Sequence, residues 1–448
     1  MKRIMSALAW ASVIRILGIV AAFLINVAIA RLLPVEEVGQ YFIAFSVVMF
    51  LAILMRLGIK QTTLRLVSRA RNDGDPRLLQ QTIVAVLRFG LLSTGVGSLV
   101  LSVGVAEWIF SEIFHADGLA RISCWVIAWT ALLSLSSPIG ESLRAMHQHA
   151  WGVGLDMSAQ SVAMLLFLFA LSIFYDSLDL EVVVKIWFFV TLLVNLAGLL
   201  KLNNLVGLTS FNTSFSLRDV YSNAWPVAIL NVSTFFTANS ALWVVGALSG
   251  HESAALFGVA LKFYNILALP LLILNLAIEP YIADYIHNGD KSHLEGLLRL
   301  SASLSFLATS ILSLILIFGG RLILQMGFGE PYVAAYPVLM FLVLGNVINV
   351  LTGSCSSVLI LQGKQRLLAL INAFAAAASI VLSLALVPSL SGVGGAISTA
   401  VAVAIANLVA WWFVLRVYGV NSAMTTTPWR YYRILKEAES SHGNKMAG

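Results

Sequence analysis

The chain has 448 residues, 59% of them hydrophobic and 11% charged, with a mean hydropathy of +0.92. An ordinary soluble domain carries about 25% charged residues, so a soluble globular enzyme is excluded. Disorder is excluded as well, because it needs many charges and few apolar residues. The net charge of +6 would point to nucleic acid only if clustered on a soluble face. Here the excess lies in short loops between apolar runs, so no nucleic-acid partner is expected.

The remaining solvent for such a chain is the bilayer. A spanning helix takes about 20 mostly apolar residues, and a barrel strand about 10 alternating ones. The apolar runs are long and continuous, so helices are expected and a barrel is not. The expected spans begin with Ser6–Ala30, Gly39–Leu57, Leu79–Val105, Ile122–Ile139, Gly154–Tyr175 and Val182–Leu200. Six more follow at Ser222–Leu248, Ala254–Ile278, Leu297–Phe318, Val333–Leu361, Leu367–Val387 and Val393–Val417. Turn chemistry separates them at Pro34, Asn72 to Pro76, Gly250, Asn288 to Asp290, Gly363 and Pro388 to Gly392. The first run has no small-residue cleavage site before Arg31 and reads as a retained span.

Twelve spans place both termini on one side. Of the 27 Lys and Arg, four lie in or at the edges of spans: Arg15, Arg56, Arg88 and Lys262. Arg31, Arg121, Lys185 and Arg321 fall on the outer side, and the other 19 on the side of the termini. The positive-inside rule makes that side cytoplasmic.

The halves resemble each other at an offset of about 215 residues. VEEVGQYFIAF falls on HESAALFGVAL, and the turn NDGDP on HNGDK. Arg144-Ala-Met-His-Gln-His falls on Leu359-Ile-Leu-Gln-Gly-Lys, and Lys201 on Arg416. The expected organisation is an N-terminal six-helix lobe at 1–210, a C-terminal six-helix lobe at 211–420, and a cytoplasmic tail at 421–448. The lobes would be related by a pseudo-two-fold along the membrane normal. Such a repeat is a transporter signature, with the substrate site near the repeat interface. In the tail, Thr427 and Pro428 start a helix, and Trp429, Arg430, Tyr431, Tyr432 and Arg433 suit the cytoplasmic leaflet surface.

No HExxH, Walker A loop or nucleophile elbow occurs, so no enzyme is expected. The seven histidines fall in loops, at span ends or in the tail, and no metal site is expected. Cys124 and Cys355 sit in apolar runs and are expected to be buried packing residues. Without a Walker A loop, energy must come from a H+ or Na+ gradient or the membrane potential; no cofactor is called for.

Charges inside a membrane cost roughly 2.5–3.5 kcal/mol each on insertion scales, so they mark function. Arg15, Gly18, Ala22 and Asn26 share one helix face by their spacing; that face is expected to line a cavity. Asn223, Asn231, Thr234 and Asn239 form a second polar surface on span seven, and Lys262 and Asn265 add donors on span eight. Cations across a cavity imply an anionic substrate. Phosphate suits Arg through bidentate hydrogen bonds. The carboxylates Glu141, Asp156, Glu279 and Asp284 cluster at cytoplasmic ends. Glu279, followed by Pro280, and Asp156 are candidates for a gate or for ion coupling.

The opening FLINVAIARLLPVEEVGQYFIAFSVVMFLAILMRLGI resembles the first two helices of Wzx-type bacterial polysaccharide exporters. LFGVALKFYNILALPLLILNLAIEPYIADY, FGEPYVAAYPVLMFLVLG, SSVLILQGKQRLLALINA and GVGGAISTAVAVAIANLVAWWFVLRVYGV extend the resemblance over nearly the whole chain. These exporters belong to the multidrug/oligosaccharidyl-lipid/polysaccharide (MOP) superfamily. The resemblance implies an all-α integral membrane fold of 12 transmembrane helices in a MATE-like V shape. It implies movement of undecaprenyl-pyrophosphate-linked oligosaccharide across the bacterial inner membrane. By the resemblance Arg15, Arg56 and Lys262 would hold pyrophosphate; as a further cation within the spans Arg88 is expected to join them, and the polar residues Asn26, Asn231, Thr234 and Asn265 are expected to meet sugar. Lys262 stands where relatives carry Arg, keeping the charge without the bidentate fork. Expected partners are the lipid-linked substrate, membrane lipids, and polysaccharide polymerase and chain-length machinery, with the protein itself a monomer. The competing readings are a multidrug extruder, which needs acidic cavity walls, and a membrane polymerase or ligase, which needs a large outer loop.

Overall fold

The computed structural model describes residues 2–208 and 217–427, with side chains from 14 to 208 and from 227 to 427. The tail helix expected after Thr427 and the side chain of Asn223 lie outside the described residues. Among those described, the regular structure is all helical.

Among the described residues, ten helices are long and apolar enough to cross a membrane. Two of them are of double length. Val227–His287 lies within a helix broken at Gly250 (φ 83°), and Gln365–Tyr418 is broken at Ser391 (φ 49°). Splitting both at these left-handed residues yields the twelve spans expected. The chain is a multi-pass membrane protein. Large apolar side chains such as Phe318 and Phe174 are exposed.

Several boundaries differ from expectation for physical reasons. Span nine runs Lys291–Gly327, longer than its apolar run, because Asp290 caps its first turn by accepting from the His293 N–H at 3.1 Å. Span ten ends at Thr352, where Gly353 takes φ 68°, and Cys355–Leu361 is a separate short helix. Residues expected as a loop after span two form a helix, Ile59–Asn72. Its Ile59, Thr62, Thr63, Val67 and Ala70 are buried while Arg65 and Arg69 are exposed. That spacing marks an amphipathic surface helix.

The chain divides into two compact units, one of Met1–Val232 with Gly250–Ala255 and the other of Ser233–Ser249 with Leu256–Gly448. The first is pinned by aromatic packing. Trp129 of span four stacks on Trp187 of span six, centroids 5.4 Å apart, and Phe45 of span two abuts both. The Trp187 Nε1–H donates to the Tyr41 hydroxyl at 3.3 Å. Glu37 accepts from the Leu180 N–H at 2.8 Å and so caps span six from a distance.

The second unit is built on small residues, which let helix backbones approach where no hydrophobic effect draws them together. A Cβ at Gly345 would lie 2.7 Å from the Ala400 Cα, and one at Gly395 would lie 2.6 Å from Val245. Small polar groups add cross-links: Thr237 donates to the Asn372 carbonyl at 2.9 Å, and Ser240 meets Ser379 at 3.1 Å.

Candidate functional site

A cluster of five charged groups forms in the first unit. It is assembled by two tight backbone features. Leu57 and Gly58 are both left-handed (φ 45° and 75°), so the chain turns sharply out of span two into the Ile59–Asn72 helix. That turn leads from Arg56 directly to Lys60. Spans four and five meet at glycines: a Cβ at Gly152 would lie 2.9 Å from both the Gly140 carbonyl oxygen and the Arg144 Cβ. This approach brings Glu141 and Arg144 beside the start of span five.

Span five is interrupted there. Asp156 (φ −81°, ψ 52°) and Met157 (φ 70°, ψ −14°) leave helical geometry. A left-handed non-glycine residue stores about 1–3 kcal/mol of strain and persists only where its surroundings hold it. Beside this break the Lys60 ammonium donates to both Asp156 carboxylate oxygens, at 2.7 and 2.8 Å. Lys60 also stands 4.0 Å from Glu141 Oε1, which pairs with Arg144 at 3.2 Å. Glu141 Oε2 is buried without a hydrogen-bond partner. Arg56 Nη2 donates to the Leu133 carbonyl at 2.7 Å, while its buried Nε has no partner. The cluster holds three cations and two carboxylates.

The other expected site residues are placed as follows. Arg15 is exposed on span one. Gly18, one turn on, is a contact surface rather than a cavity wall: a Cβ there would lie 2.6 Å from Ser158. Asn26 is buried and its amide bonds back to the Ala22 carbonyl. Arg88 and Asn231 are half-buried. Thr234 accepts from the Asn372 amide at 3.0 Å, which ties span seven to span eleven and leaves the pair exposed. Lys262 is half-buried in span eight, between the buried Leu261 and Phe263, and Asn265 is exposed. Glu279 is exposed near the end of span eight. Of the residues expected, Arg56 and Asp156 fall in one cluster.

Lys60 and Arg144 had been counted only as loop charges. The signal that finds them is the amphipathic period of Ile59–Asn72 for Lys60, and the three-residue spacing of Glu141 and Arg144 on one helix face. One expectation is corrected: Cys355 is buried, but Cys124 is exposed. It lies on the face of span four that lines a shallow cavity with Ser98, Ser102 and Glu107; an apolar run in a membrane helix need not face protein. A second cavity, of about 570 Å³, lies beside the span-five break and is lined by Ile14, Leu17, Trp151, Leu155, Val162 and Leu166. Its wall is mostly apolar, with Ser158 among the lining residues.

A family model described as polysaccharide biosynthesis protein matches residues 5–286. The chain belongs to this family. Within this polysaccharide biosynthesis family member, residues 226–385 also match the MatE family model. No curated protein matches the sequence. Solved structures match over nearly the whole chain. An inward-facing multidrug resistance MATE family transporter of the MOP superfamily shares 14% identity, with 90% of this chain and 94% of that one covered, at a TM-score of 0.76. The lipid II flippase MurJ, in an inward closed conformation, shares 15% identity over 96% and 89%, at 0.69. A MOP superfamily transporter from Pyrococcus furiosus, described as having a binding pocket of reverse polarity, shares 13% identity over 92% and 95%, at 0.57. At these identities the likeness establishes the fold alone, a MATE-like all-α membrane fold.

Proposed function

We propose that the protein is a flippase that carries undecaprenyl-pyrophosphate-linked oligosaccharide from the cytoplasmic to the periplasmic leaflet of a bacterial inner membrane by alternating access. The observation that carries this reading is the chemistry of the membrane-embedded charges. Arg15, Arg56, Arg88 and Lys262 place cations in the spans, whereas Glu141 and Asp156 are each already engaged by a cation. Such a membrane interior favours an anionic cargo and gives a cationic one little to bind. In this reading Arg15, Arg56, Arg88 and Lys262 contact the pyrophosphate, and Asn26, Asn231, Thr234 and Asn265 contact sugar. Glu279 serves the gate. A negative-inside potential opposes return of the anionic headgroup by about 2.3 kcal/mol per charge per 100 mV.

Multidrug extrusion is the second reading, favoured by the MatE match over residues 226–385 and by the similarity to a multidrug MATE transporter. Charge reversal separates the two. Arg15→Glu and Lys262→Glu should abolish surface polymer in a complemented deletion strain while the proteins still insert. Normal polymer from both variants would refute the cation assignment.

A further inference from the structure

We propose that Lys60 is a binding residue for the phosphate end of the cargo, and that Asp156 is a placeholder carboxylate that occupies Lys60 until the anion arrives. This rests on the anionic-cargo reading above and adds to it a site at the start of the Ile59–Asn72 helix. The ligand class is a phosphate or pyrophosphate group, bound by Lys60 with Arg144 beside it and Arg56 behind.

Three observations support an exchangeable pair over a permanent lock. The pair is accessible, with the Lys60 side chain 34% and the Asp156 side chain 39% exposed. An exposed ion pair of this kind is weak, because water competes for both partners. Asp156 stands on backbone that is already non-helical at Asp156 and Met157. It can therefore withdraw without breaking a helical turn. Lys60 also has a second carboxylate within reach. Glu141 is buried, 4.0 Å away, and has one oxygen without a partner. When Asp156 leaves, Glu141 keeps the ammonium in place.

The charge balance points the same way. Arg56, Lys60 and Arg144 outnumber Glu141 and Asp156 by one positive charge. Replacing the single charge of Asp156 by the multiple charge of a pyrophosphate lets Lys60 and Arg144 both bind it, and phosphate oxygens accept from both donors. Asp156 reproduces the contact in miniature: two oxygens on one anionic group, each taking a hydrogen bond from Lys60. A lipid-linked pyrophosphate and a free one share this chemistry, so the free ion serves as the probe.

The experiment is equilibrium dialysis of radiolabelled inorganic pyrophosphate against the purified full-length protein in detergent, at low salt. Asp156→Asn removes the competitor and should tighten binding by roughly 1.5- to 5-fold, the range set by an exposed ion pair. Lys60→Gln should weaken binding about tenfold or more, since it removes a charge-assisted hydrogen bond. Lys60→Arg should retain most of the affinity. In the double variant the gain from Asp156→Asn should vanish, because there is no longer a lysine to release. A gain that persists without Lys60 would mean that Asp156 acts only through its long-range field, and would overturn the proposal. Wild-type binding that is indifferent to Lys60→Gln would overturn the proposal and leave the flippase reading standing. No binding by the wild-type protein would overturn both. If Lys60→Gln does not elute as a single species, Asp156→Asn alone decides: unchanged or weaker binding refutes the placeholder. The same variants, added singly to the whole lipid-linked substrate in vesicles, tell a bound headgroup from a bound free ion.

Discussion

Replacing Gly18 by alanine tests whether the polar face of span one is a contact face at this level. The new Cβ would lie 2.6 Å from the Ser158 Cβ and Oγ and 2.7 Å from its Cα. Carbon atoms rest about 3.5–4.0 Å apart, so span one must retreat by about 1 Å. Rotating the serine cannot relieve the clash with its Cα. Overpacking of this kind costs about 1–3 kcal/mol. Gly95→Ala is the control, because nothing lies within 4 Å of a Cβ there, and alanine in a helix gains about 0.5–1 kcal/mol over glycine. The assay is the half-life of the monodisperse species on heating in detergent, since large membrane proteins unfold irreversibly. Gly18→Ala should shorten the half-life, up to about tenfold for each 1.4 kcal/mol that falls on the unfolding barrier. Ser158→Gly in the same chain removes Cβ and Oγ but not Cα, and should restore part of the loss. A Gly18→Ala protein as long-lived as Gly95→Ala would refute the close approach of spans one and five.

Two further predictions follow from single residues. The His293 backbone N–H, 3.1 Å from its carboxylate, holds Asp290 below the usual carboxylate range. Its stabilisation is therefore present above the ordinary Asp value near 3.9 and lost as pH falls through the depressed folded value. Asp290→Ala should cost about 0.5–1 kcal/mol at pH 7, the lower end of capping effects. In thermal melts the gap to wild type should narrow as pH falls below that ordinary value, and a gap of constant size would contradict the cap. Cys124 is exposed and Cys355 buried, so a membrane-permeant maleimide should label one thiol in the folded protein and two after denaturation. Mass spectrometry locates the adduct, and rapid folded-state labelling of Cys355 would contradict the packing around it.

Much of the fold was legible because bilayer thickness sets a length that apolar runs must meet. The two double-length helices illustrate this: Gly250 and the Pro388–Gly392 stretch marked the breaks that appear at Gly250 and Ser391. The Ile59–Asn72 helix escaped a hydropathy reading because its buried face is partly threonine; its 3.6-residue period was present all the same. The Lys60–Asp156 pair was not legible. Its partners are 96 residues apart, and their meeting depends on the Gly140–Gly152 approach and on the departure of Asp156 and Met157 from helix. Gly18 looked like part of a polar channel because small residues serve helix contacts and cavities equally. Cys124 misled because an apolar run does not tell a lipid-facing side from a protein-facing one.

The most direct test of the flippase account is the leaflet location of lipid-linked sugar in a host from which this gene has been deleted. The account predicts intermediates accumulating on the cytoplasmic leaflet, with surface polymer lost and mass spectrometry identifying the glycan. Unchanged intermediates and normal polymer, together with new drug sensitivity, would contradict it in favour of extrusion. Accumulation on the periplasmic leaflet would contradict it in favour of a polymerase or ligase.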